Sequence, residues 1–135
     1  MADEWKKVEL YGQNNDGDPR RYTCAAGVKI EKNTLLMLTD PRTASAHDGT
    51  VSAAIAGIST MEKSATDGST SISCWTNGIF EAVASGSITL GSTFKASTTA
   101  NQIEAAANTN LGCTVGGYVL ETTTDGDTVN VRLRL

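Results

Sequence analysis

The chain has 135 residues, a formal charge of −4 and 19% charged residues, enough length for one domain with a modest core. No run approaches the roughly 18 consecutive apolar residues of a spanning helix, and MADEWKKVEL lacks the apolar centre of a secretory signal. The acidic balance, with no basic cluster beyond Lys6-Lys7 and Arg20-Arg21, argues against nucleic acid as the main partner.

Leu, Ile, Val and Phe supply only 26 residues, whereas Ser and Thr supply 30 and Gly 13. A polar, weakly charged, Gly-punctuated chain suits many short strands and turns, so the expected class is all-β with little helix.

Residues 1–22 hold nine charged residues and the turn-rich stretch from Gly12 to Pro19, with Trp5, Val8, Leu10 and Tyr11 among them. Such a composition reads either as an arm that orders on a partner or as a frayed terminus. The expected division is an extended N-terminal arm over 1–22 and a single β-rich domain over 23–135.

From Tyr22 onward the pattern is β. Tyr22, Cys24 and Ala26 alternate, as do Val28 and Ile30, and the apolar run 34–39 before Asp40-Pro41 predicts a strand buried on both faces. Residues 44–49, with Asp48-Gly49, read as a turn before a strand over 51–58. Asp67-Gly68 precedes a strand over 71–75, and Asn77-Gly78 predicts a hairpin turn into 79–84. Gly91-Ser92 leads into 93–97. The segment 101–107 is open between helix and strand, and its turn-like flanks favour strand. The last eight residues alternate strictly, with Val129, Val131, Leu133 and Leu135 on one face. Thr66-Asp-Gly-Ser-Thr70 returns as Thr124-Asp-Gly-Asp-Thr128, preceded by Gly57-Ile58 and Gly117-Tyr118 respectively. This echo reads as a duplicated β unit or as chance in a Thr-rich chain.

Catalytic patterns are sparse. His47, the one histidine, lies in the predicted 44–49 turn and reads as a surface residue rather than a base. No GxSxG or GxGxxG occurs, and Gly86 to Gly91 copies phosphate-loop spacing with Ser92 where lysine is required. The acidic turns at 14–18 and 125–127 lack the spacing of a calcium loop and match ordinary turn chemistry. Cys24, Cys74 and Cys113 are far apart and odd in number, so buried, reduced thiols are expected and neither metal nor cofactor is. Between Ser64 and Leu120 only Asp67, Glu81, Lys95 and Glu104 are charged. So little charge makes a surface cheap to desolvate against another protein, which points to a subunit of an assembly; the alternative is a polar, threonine-rich exposed face of the kind common in strands.

Asp18-Pro19, Gly27, the run 34–38, Asp48-Gly49, Ala56-Gly57-Ile58 and Asn77-Gly78-Ile-Phe-Glu81 follow one another in an order that resembles the head decoration proteins of lambda-like tailed phages. Residues 86–135 are similar to the broader phage capsid cement proteins. The resemblance implies a compact small β-barrel or β-tulip-like domain that forms trimers at local three-fold positions on the outside of an expanded icosahedral head, with the major capsid protein as partner. It implies a structural virion protein, made in the host cytoplasm, with no enzymatic activity, no direct nucleic-acid contact and no membrane contact. The N-terminal arm would lie on the shell, with Trp5, Val8, Leu10 and Tyr11 as its anchors. The longer C-terminal half departs from the lambda-like pattern, which leaves the trimer contacts open. The rival readings are a receptor- or carbohydrate-binding β module of a tail fibre and, more remotely, a small hydrolase.

Overall fold

The computed structural model describes residues 3–12, 14–50, 53–107 and 114–135. Eleven strands are seen among them: β1 (Lys6–Leu10), β2 (Arg20–Thr23), β3 (Leu35–Asp40), β4 (Thr43–Ala46), β5 (Ile55–Ser59), β6 (Ser71–Trp75), β7 (Asn77–Ala84), β8 (Thr93–Ala96), β9 (Gln102–Ala105), β10 (Val115–Val119) and β11 (Thr128–Arg134). The all-β expectation holds, and 101–107 resolves to strand.

Instead of one barrel there are two. β2-β4-β3-β5-β6 forms a closed barrel, and β7-β11-β10-β8-β9 closes on itself through a β7–β9 pairing. Each ring contains one parallel pair, β2–β4 in the first and β7–β9 in the second, and its other pairs are antiparallel. The two rings therefore have the same topology, strand for strand. The correspondence reaches the loops. Ile30 and Lys63 form an isolated two-way bridge in the first half, and Ile88 and Thr123 form its counterpart. Gly57 and Gly117 take the same left-handed backbone, with φ of 148° and 147°. The sequence echo thus marks a duplicated five-stranded unit. Closure pairs the strand edges that so short a chain would otherwise expose.

Alternation along the strands places the cores. Leu36, Ala44, Ala56, Ile72 and Cys74 fill the first barrel with Cys24 and Ile30. Phe80, Ala82, Phe94, Ile103, Val119, Val129, Val131 and Leu133 belong to the second cluster. Leu35, Ile55 and Ile58 join that second cluster although they belong to the first barrel. β5 along its length and β3 over Leu35 to Met37 are therefore buried on both faces, with one face inward and the other against the neighbouring barrel. The apolar run 34–39 predicted this for its first part, whereas Leu38 is half-buried and Thr39 exposed.

Several local expectations are corrected. Asn77-Gly78 is not a hairpin turn: Gly78 lies inside β7, paired with Leu10 on one side and Leu133 on the other. β6 and β7 belong to different barrels, and the chain crosses between them at Thr76. Gly78 is needed there because a Cβ would stand 2.5 Å from the Glu9 carbonyl oxygen. Residues 43–46 are a strand, and the turn of the β3–β4 hairpin falls at Pro41-Arg42, where Arg42 has φ of 51°. His47 is buried rather than on the surface, because its backbone N–H continues the pairing to the Leu35 carbonyl.

Candidate functional site

The described residues before Pro19 are woven into the fold. Lys6 to Leu10 pair with β7 as an added strand, and the register slips between Lys7 and Glu9, so Val8 is the extra residue of a bulge. Trp5 is completely enclosed, at 0% exposure. Its backbone N–H donates to the Asn33 carbonyl at 3.0 Å in the first half of the chain, and its indole N–H donates to the Asn101 carbonyl at 2.9 Å in the second. Its ring lies 6.1 Å from Phe80 and 6.0 Å from Phe94. Asn101 in turn accepts the Leu35 backbone N–H on its side-chain oxygen. Trp5 thus fastens one barrel to the other.

The four side chains singled out from the sequence therefore divide. Trp5 is held inside this chain and could reach a partner only by leaving the core. Leu10 packs partly buried against the same cluster. Val8 is 55% exposed, and Tyr11 is half-buried at the end of β1. The Tyr11 hydroxyl donates to Glu9 at 3.1 Å, which raises its pKa above the ordinary value. The Arg132 guanidinium stands over the Tyr11 ring at 4.6 Å, a cation–π contact.

Registers extend this patch over the outer face of the second barrel. Glu9, Ile79, Arg132, Tyr118 and Thr93 are successive cross-strand partners, so their side chains share a face. Leu90, Tyr118 and Leu120 are exposed nearby in sequence. Sequence reasoning missed Arg132 and Tyr118. Alternation alone put Arg132 outward, but only the pairing of β11 with both β7 and β10 sets it between Tyr11 and Tyr118.

The other candidates are occupied by structural roles. His47 Nδ1 accepts the Gly49 N–H at 2.9 Å, and burial pushes its pKa below the usual histidine value despite the neighbouring Asp48. Cys24 and Cys74 are buried free thiols, and burial drives the Cys74 pKa up to about 12. Cys113 lies outside the described residues. In the acidic turns, Asp16 accepts the Asp18 N–H, Asp125 accepts the Gly86 N–H and Asp127 accepts the Thr124 hydroxyl. Among the described residues no three His, Cys, Asp or Glu side chains gather as a metal site, and no helix is long and apolar enough to cross a membrane.

Comparison with known proteins bears on this geometry. No curated protein matches the sequence. Among solved structures, the head fiber gp8.5 N base of bacteriophage phi29 is similar in fold, with a TM-score of 0.52 at 13% identity over 85% of this chain and 92% of that one. The family model of the phage cement proteins matches residues 15–135, which takes in both barrels. By that match over nearly its whole length, the chain belongs to the phage cement protein family.

Proposed function

We propose that this protein cements the outside of an expanded tailed-phage head, as trimers at local three-fold positions, and that it does so without catalysis. Family membership carries the reading and makes the protein a capsid-associated structural component. The fold supports it physically: two closed barrels share one buried cluster that includes Trp5, and a block packed through a common core transmits load between the shell subunits it touches. Many copies with modest contacts accumulate into mechanical stability of the shell. Within the N-terminal segment, Val8 on its bulge and Tyr11 beside Arg132 are the side chains we assign to the shell contact, with the major capsid protein as partner.

Deletion of residues 1–14 would not test this assignment, because it removes Trp5 from the core together with the surface. Val8→Asp combined with Tyr11→Ala leaves Trp5 and the β1 pairing in place. Binding of this variant to empty heads assembled without the protein is expected to fall at least about tenfold. Unchanged occupancy would reject the segment's role, and a monomer both in concentrated solution and on the shell would reject the trimer. Copy number separates the tail-fibre alternative: hundreds per particle mean cement, a few mean a fibre.

A further inference from the structure

A cleft of about 500 Å³ opens where the two barrels meet, within the range that encloses a few side chains of a bound segment. Its floor is mostly aliphatic, with Leu38, Ile55 and Ala56 from the first barrel and Val115 from the second, beside Tyr22 and Thr76. Two arginines are among its lining residues, Arg20 from β2 and Arg134 from β11, one from each barrel. Neither has a carboxylate within ion-pair distance among the described residues. The pairs found there are Lys6–Glu81, Lys29 with Glu31 and Glu62, and Lys95–Glu104, all made by lysines. The hydrogen bond from the Arg20 side chain goes to the adjacent Pro19 carbonyl at 3.3 Å.

Unneutralised arginines beside apolar surface, in a chain with 15 acidic against 11 basic residues, specify the chemistry that would complement them. Arginine presents a planar fork that takes a carboxylate through two parallel hydrogen bonds, and it loses water more cheaply than lysine. We infer that the cleft receives an extended acidic segment of a partner polypeptide, with an aliphatic side chain on the floor and an adjacent carboxylate held by Arg20 and Arg134. Nucleic acid fits less well. Tyr22 is the single aromatic side chain in the lining, where a run of bases would need several stacking platforms, and two cations are few for a phosphate backbone. The inference rests on the cement reading for one point, that the segment belongs to the capsid shell; the cleft chemistry stands independently of it.

The test uses the full chain, isotopically labelled for nuclear magnetic resonance. It is titrated with the capped pentapeptide acetyl-Asp-Leu-Glu-Leu-Asp-amide, with the counterpart carrying lysine at each acidic position, and with a thymidine octamer. Saturable shifts centred on Ala56, Val115 and the two arginine side chains are expected with the acidic peptide alone. Arg20→Gln with Arg134→Gln should weaken that binding at least about tenfold. An equal response to the lysine peptide, or a stronger one to the oligonucleotide, overturns the inference. The same variant is then bound to empty heads assembled without this protein. Wild type that binds while the variant binds equally well overturns the cleft as a shell contact. Wild type that fails on heads yet takes the peptide rejects the cement reading and with it the shell as source, while upholding the cleft. A changed oligomer size in the variant would show that another copy of the chain occupies the cleft, which also overturns the inference. Circular dichroism checks the fold. If the glutamine pair unfolds, Arg20→Lys with Arg134→Lys replaces it, with peptide binding expected to weaken several-fold because the planar fork is lost.

Discussion

Replacing Trp5 with alanine removes the largest fully buried side chain of the protein from the seam between its two barrels. Truncating a buried tryptophan costs about 3–5 kcal/mol through lost transfer energy and the cavity left behind. The Asn101 carbonyl loses its indole donor at the same time, and an unpaired buried acceptor costs about 1–3 kcal/mol unless water enters. These terms overlap, so the expected loss is about 4 kcal/mol, a large part of the roughly 5–15 kcal/mol that stabilises a domain. For a chain of this length that lowers the melting temperature by about 15 °C. Trp5→Phe keeps an aromatic ring near Phe80 and Phe94 and loses mainly the N–H donor, so its cost should be about 1–2 kcal/mol. Urea unfolding followed by far-ultraviolet circular dichroism measures both variants on one scale. A Trp5→Ala loss below about 0.5 kcal/mol, the size of an ordinary surface substitution, would refute the reasoning. It would mean that the N-terminal segment lies free of the barrels in solution, as its composition alone suggested.

Further outcomes follow from particular contacts. Gly57→Ala and Gly117→Ala should each destabilise by about 2 kcal/mol or more, since a Cβ would collide with the Trp75 and Arg132 carbonyl oxygens respectively and the backbone there is left-handed; wild-type stability in either variant would contradict the shared geometry. Because the folded His47 has a lowered pKa, the unfolded chain binds its proton first. Stability should therefore be complete above the ordinary histidine value of 6.5 and decline as pH falls from there toward the folded pKa. Melting curves between pH 7.5 and 5, as about the useful range, should show this decline in wild type and less of it in His47→Gln. Cys74, with its pKa pushed to about 12, should resist iodoacetamide in the native protein and alkylate only on unfolding, as read by peptide mass mapping; rapid native labelling would contradict its burial.

The strands over 71–75 and 128–134 were legible because alternation and flanking Asp-Gly turns are local signals, and both strands bury one face only. The start of the run 34–39 was legible because the part of a strand covered on both faces, here Leu35 to Met37, is continuously apolar. The duplication left a trace at Thr66 and Thr124, where the turn chemistry recurs, but little in the strands between, since each barrel packs its own set of neighbours. The candidate surface was only half legible. Val8 and Tyr11 could be picked out as apolar residues in a charged segment, but not their neighbours from β7, β10 and β11, which come together through pairings distant in sequence.

Local sequence by itself settled the β class, most strand positions and the near absence of charge through the middle of the chain, because side-chain period and turn residues act over a few positions. Tertiary structure decided what the same residues were for. Gly78 carries the signature of a turn, yet it serves the close approach of β1, since a glycine that permits a bend and one that admits a neighbouring backbone look alike in sequence. Trp5 lies in a segment charged enough to read as an arm, yet it is core, because burial depends on what lies opposite. What lies opposite Trp5 is a pair of barrels brought together by residues as distant as Asn33 and Asn101.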